Sequence, residues 1–115
     1  MHELSIAMSV LDIAADEAER RNGANITAIH IKLGPLSGVI PQALVSAFDL
    51  ARETTPQAGC ILVIEEVPII AYCEHCQASR SIESPQWLCC PECGAPTAKI
   101  EQGRELEVTA LEIEA

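Results

Sequence analysis

Aromatic side chains are nearly missing from this chain: one Trp, one Tyr and one Phe among 115 residues. Any interior must therefore be aliphatic, and at this length it belongs to one small domain, or to one domain carrying a small excursion. Basic residues are scarce as well, with seven Lys and Arg against 17 Asp and Glu and a net charge of −10. They are scattered, so no basic face is offered to phosphates; nucleic acid is excluded as a natural partner, and a metal cation or a basic protein surface fits better. No apolar run reaches the roughly 20 residues of a membrane span, and the amino end lacks the charged start, apolar block and cleavage site of a secretory signal. The expectation is a cytoplasmic protein with no membrane contact. A P-loop and a Gly-x-Gly-x-x-Gly fingerprint are both lacking, as is a recognisable nucleophile–base pair or an open catalytic metal shell, so an enzyme is the least supported class.

Cysteine, by contrast, is plentiful, and four of the six are spaced as metal ligands. Cys73-Glu74-His75-Cys76 and Cys90-Pro91-Glu92-Cys93-Gly94 are two pairs with two residues inside each. A tight reversal across such a pair turns both sulfurs to one ion, and two pairs complete a tetrahedral Cys₄ shell suited to structural zinc. The thirteen residues from Gln77 to Cys89 leave room for a short strand, a turn and a return. Cys89 competes with Cys90, but only Cys90 has the two-residue spacing to Cys93. A disulfide scaffold fits a cytoplasmic chain less well. Softness and geometry do not separate zinc from iron, so a rubredoxin-like electron-transfer protein is an alternative. The acidic surface leaves a second one, a zinc-stapled interaction module. His75, inside the first knuckle, is expected to be exposed. Trp87 and Tyr72 are expected to pack around the metal loop.

A second place with metal chemistry is the start, Met1-His2-Glu3-Leu4. The terminal amine, the backbone nitrogen of His2 and its imidazole Nδ1 can close adjacent chelate rings in one plane, an array suited to Ni(II) or Cu(II). Glu3 adds a backbone nitrogen or a carboxylate, or simply suits a helix N-terminus. From these residues alone a chelate and an incidental histidine at a chain end both remain open.

Periodicity sets the scaffold. Leu4, Met8, Leu11, Ala15 and Ala18, widened by Ala7, Val10 and Ala14, predict a helix from Glu3 or Leu4 to Asn22 that stops at Gly23. Asn25 to Leu33 alternates as a half-buried strand with Thr27, Ile29, Ile31 and Leu33 on one face and His30 on the other. Gly34 to Val39 reads as a loop. Pro41 opens a second helix through Leu44, Ala47, Phe48 and Ala51. Cys60 to Ile64 is a second strand, begun by an ordinary buried cysteine, and a right-handed parallel crossover links the two strands. Gly103 marks a return into a last strand whose apolar phase changes near Thr109 and Ala110. The expected fold is α+β: a small three-stranded mixed sheet with two helices, carrying an inserted Cys₄ zinc-ribbon-like module. In domain terms, 1–66 and 104–115 form the α/β part and 67–103 the zinc module.

Met1-His2-Glu3-Leu4-Ser5, Leu33-Gly34-Pro35-Leu36-Ser37-Gly38-Val39, the two cysteine pairs and Gly103-Arg104-Glu105-Leu106, taken in order, resemble the HypA/HybF family of hydrogenase nickel-insertion proteins. The resemblance implies a non-enzymatic metallochaperone that supplies Ni(II) to the [NiFe]-hydrogenase large subunit precursor, working with the GTPase HypB as a monomer or homodimer. It places nickel on Met1, His2 and Glu3 and structural zinc on Cys73, Cys76, Cys90 and Cys93.

Overall fold

The computed structural model describes residues 2–114. Along the chain come α1 (Glu3–Arg20), β1 (Asn25–Leu33), a 3₁₀ turn (Pro35–Ser37), α2 (Pro41–Arg52), β2 (Ile61–Glu66), β3 (Ile69–Cys73), β4 (Ala78–Ile82), β5 (Lys99–Gln102) and β6 (Leu106–Glu114). The strands make two three-stranded sheets, ordered β2-β1-β6 and β4-β3-β5. The architecture is α+β. Two compact units divide it: Val39–Glu65 with the segments up to Ile31 and from Glu107 onward, and Lys32–Gly38 with Glu66–Leu106. No helix among the described residues is long and apolar enough to cross a membrane.

In the first unit α1 packs against α2. The buried stripe of α1 is Ala7, Val10, Leu11, Ala14 and Ala18, and small side chains there let the helices approach closely. Leu4 and Met8, expected on that stripe, are instead 50% and 42% exposed; they lie at the edge of the arc that alanines occupy. Opposite stand Leu44, Phe48 and Ala51 of α2, with the only Phe fully buried. Pro41 occupies the first turn of α2, where a missing N–H leaves no hydrogen bond unmade. The end of α1 differs from the expected glycine stop. Gly23 N–H reaches Ala18 O at 2.8 Å and Asn22 N–H reaches Glu19 O at 3.2 Å, so Asn22, with φ 60°, holds the left-handed position of a Schellman motif and Gly23 follows it.

β1 and β6 run antiparallel: Asn25 bonds Glu114, Thr27 bonds the Glu112 carbonyl, and His30 accepts from Thr109 through its own carbonyl. The expected inner face of β1 holds only in part. Ile29, Ile31 and Leu33 are buried, but so are Ile26 and Ala28 on the other parity, while the Thr27 hydroxyl serves the β6 backbone. The buried face thus switches between Thr27 and His30. Directly opposite, the alternation of β6 skips at Thr109 and Ala110, both exposed, where a phase change was expected. Paired strands twist as one ribbon, so both change face at the same level. His30 Nε2 lies 2.7 Å from Glu112 Oε2, a hydrogen bond on the half-exposed face.

The second unit has its own sheet. Ile69–Cys73, which the sequence suggests merely leads out to the knuckles, is its central strand, with Ile69, Ala71 and Cys73 buried. It pairs antiparallel with β4 from Ile69↔Ile82 to Cys73↔Ala78 and with β5 through Ala71↔Ile100 and Tyr72↔Lys99. Ile69, Ala71 and Ile82 form a small core, joined by Leu36, Leu88 and Ile100. Trp87 does not pack around the metal loop: it is 69% exposed. Tyr72 is half-buried, with Lys99 Nζ 5.8 Å from its ring centre.

Gly34 and Gly103 form a latch within this unit. Gly34 N–H donates to Glu105 O at 2.8 Å, Leu36 N–H to Gly103 O at 2.7 Å, and Gly103 N–H to Glu105 Oε1 at 2.8 Å. A Cβ on Gly34 would stand 2.1 Å from Gly103 O, inside any permissible contact with rigid backbone. Gly34→Ala is expected to cost about 3 kcal/mol, read as a lower urea midpoint at unchanged slope.

Candidate metal centre

The amino end is the first of the two places that the sequence marks as candidate metal sites. His2 is the N-cap of α1, extended at φ −87° and ψ 106°, and its side chain makes no capping hydrogen bond. The imidazole is exposed. Only the His2 carbonyl joins the helix, accepting from Ile6 N–H at 3.3 Å. Glu3 begins the first turn and is half-buried; its backbone N–H is one of the first four in a helix, which have no carbonyl partner within it. Met1 lies outside the described residues.

The second place is the cysteine cluster. The ligand atoms of Cys73, Cys76, Cys90 and Cys93 all lie within 4.8 Å of one another. Cys73 and Cys93 sulfurs are 3.6 Å apart and those of Cys76 and Cys90 4.0 Å, close to the roughly 3.8 Å spacing that tetrahedral ligation at about 2.3 Å requires. The donor set therefore fits one thiophilic ion in a closed shell. Cys89 is outside the cluster; it is half-buried, in an isolated bridge with Pro96. Cys60 is fully buried at the foot of β2, its thiol pushed up by burial. His75 is exposed in the first knuckle.

Both knuckles are shaped by their backbone. Cys76 N–H points at Cys73 Sγ at 3.4 Å, and Gly94 N–H closes on Cys90 O at 2.8 Å. The residue after each pair is left-handed, Gln77 at φ 53° and Gly94 at φ 77°. Glycine at 94 signals that geometry, whereas Gln77 hides it. Thr97, also missed by sequence reasoning, is buried and bonds Leu88 O through both its N–H and its hydroxyl, at 2.9 and 2.7 Å, tying down the base of the second knuckle.

The thiols hold their protons unequally. Burial pushes Cys90 up, but the N–H groups of Cys93 and Glu92 and the neighbouring thiols outweigh it and bring it down to about 6. At Cys93 the Ala95 N–H pulls downward, while burial and the three other sulfurs prevail and push it up to about 12. A tetrathiolate at neutral pH therefore forms by expelling protons, so metal binding weakens as pH falls. Cys90→Ser is expected to abolish tight binding of one Zn(II) and Cys89→Ser to retain it, measured by metal content after gel filtration. Gly94→Ala, which meets no atom within 4 Å, should cost about 1 kcal/mol from backbone strain alone, read by thermal unfolding of the zinc-loaded protein.

Comparison with known proteins places the chain as a whole. Residues 1–113 match a family model described as hydrogenase/urease nickel incorporation, metallochaperone, hypA. The hydrogenase maturation factor HypA of Chloroflexus aurantiacus is 45% identical over 112 residues, covering 97% of this chain and 98% of that one. The hydrogenase maturation factor HybF of Morganella morganii is 40% identical over 113 residues, with 97% and 98% covered. A solution structure of the Ni metallochaperone HypA from Helicobacter pylori aligns over 100% of this chain and 99% of its own at a TM-score of 0.65, with 26% identity. Through the family match along nearly its whole length, this chain belongs to the HypA family of nickel-incorporation metallochaperones that serve hydrogenase maturation.

Proposed function

We propose that the chain carries Ni(II) on Met1, His2 and Glu3 for insertion into [NiFe]-hydrogenase, keeps a structural zinc ion on Cys73, Cys76, Cys90 and Cys93, and catalyses no reaction of its own. The observation that carries the nickel reading is the first turn of α1, where the exposed His2 ring caps nothing. The His2 and Glu3 N–H groups serve no carbonyl within the helix, so nickel can displace the His2 amide proton without breaking it. The deprotonated amide and the Glu3 carboxylate together cancel the dication, which removes the objection to a cation at the positive end of a helix dipole. The amine, the His2 amide nitrogen and the imidazole Nδ1 close adjacent chelate rings in one plane, three positions of the tetragonal set that Ni(II) accepts.

Such a site lies at the surface, on a chain end, where a competing ligand can attack and take the ion. Protons compete for the same nitrogens, so nickel affinity falls with acid. Zinc is used in the opposite way, joining two knuckles into a folded unit and staying there. In this reading 1–66 and 104–115 form the nickel-carrying part and 67–103 the zinc module. The receiving partners are the GTPase HypB and the hydrogenase large subunit precursor, met in the cytoplasm by a monomer or homodimer.

Nickel titration of untagged protein with a native Met1, zinc quantified beforehand, tests this. His2→Ala should bind nickel at least about tenfold more weakly, the scale of one lost metal–imidazole bond's effect on a weak site, with zinc and fold retained. Equal nickel binding by both proteins overturns the assignment in favour of a zinc-stapled interaction module. Visible iron–thiolate absorption and reversible reduction of the isolated protein would instead make it an electron carrier.

A further inference from the structure

Arginine is out of place at position 80. β4 alternates, with Ser79 and Ser81 exposed and Ala78, Arg80 and Ile82 turned inward, and Arg80 stands directly across from the fully buried Ala71. It shares a sheet face with the Ile69, Ala71 and Ile82 core, where an aliphatic side chain would be the ordinary choice. Its Nε is buried and makes no hydrogen bond, an arrangement that costs free energy and calls for compensation elsewhere on the same side chain. The compensation is sulfur: the guanidinium lies beside the Cys76 and Cys90 thiols, which favour its charge. These two belong to different knuckles, and their sulfurs are 4.0 Å apart.

We propose that Arg80 is the built-in counter-cation of the cysteine cluster, its planar fork bridging the Cys76 and Cys90 thiolates so that a bound divalent ion is held more tightly. The inference rests on the reading of the cluster as a Cys₄ site and goes beyond it. A divalent ion on four thiolates leaves two net negative charges beside a small apolar core, which is costly in a poorly solvated place. One guanidinium halves that charge. Only arginine offers two co-directed N–H groups for two sulfurs at once; a lysine ammonium is a single point charge on a flexible stem. Hydrogen bonds to ligating atoms typically alter metal affinity by 10–100-fold. Because both knuckles meet at this side chain, Arg80 also sets the distance between them.

The test compares the full-length protein with Arg80→Met and Arg80→Lys, each loaded with Zn(II) or Co(II). Zinc affinity is measured by competition with a chromophoric chelator, and the energy of the thiolate-to-Co(II) charge-transfer band is read by absorption. Zinc affinity is expected to fall in the order Arg, Lys, Met, with the Met variant about 10–100-fold below wild type. The charge-transfer band should move to lower energy in both variants, because a thiolate that loses its N–H donor gives up electrons more readily. A Met variant within twofold of wild type, with an unmoved band, overturns the proposal. If Arg80→Met does not fold, Arg80→Lys decides, and a wild-type band there overturns it equally. Failure of the wild-type protein to bind Co(II) with tetrahedral thiolate bands defeats the Cys₄ reading itself, which separates the two failures.

Discussion

Four sulfur atoms drawn within 4.8 Å of one another are the constraint on which the second unit depends. Ile69, Ala71 and Ile82 with three partly buried neighbours make only a small apolar cluster, set against the ordering of two knuckles and three short strands. Four converging sulfurs offer what so small a cluster does not, ligation of covalent strength once an ion is bound. The backbone is bent in advance to suit it, with left-handed residues closing each pair and Thr97 anchoring the second from below. An ion bound there would convert a pattern of turns into a rigid object.

The first unit is organised by the reverse logic. Its helices are held by buried aliphatic side chains and one Phe. At its outer edge the exposed His2 ring and the first N–H groups of α1 are groups that the helix does not use. Under the proposed assignment one chain would enclose one ion in sulfur and rest another on nitrogen. Keeping and delivering would then differ by that division: closure slows exchange, and an exposed helix start gives access.

Much of this was legible in the residues. Pair spacing alone separated Cys90 from Cys89 as the member of the cluster, and Pro41 and the apolar rows located both helices. What stayed hidden shares a physical cause, namely dependence on a partner distant in sequence. Ile69–Cys73 is too short and too evenly apolar to announce itself as a central strand until β4 and β5 flank it. The face switch in β1 cannot be seen without β6, because each strand alone reads as a slightly imperfect alternation. Gln77 carries no mark of its left-handed backbone, and Arg80 reads as a surface charge until the sulfurs are in place. Asn22 takes the role expected of Gly23 because either residue tolerates that conformation. Trp87 departs from expectation for the opposite reason: size argues for burial, yet the ring stands largely in solvent.

The contact between Gly34 and Gly103 also closes a very long loop. The N–H of residue 34 finds its partner only at Glu105, far along the chain. Pairing of β3 with β5 already sets Gln102 beside Ile70. The second sheet therefore shortens the loop before the latch closes, and the stretch between the two glycines need not be searched as a free polymer.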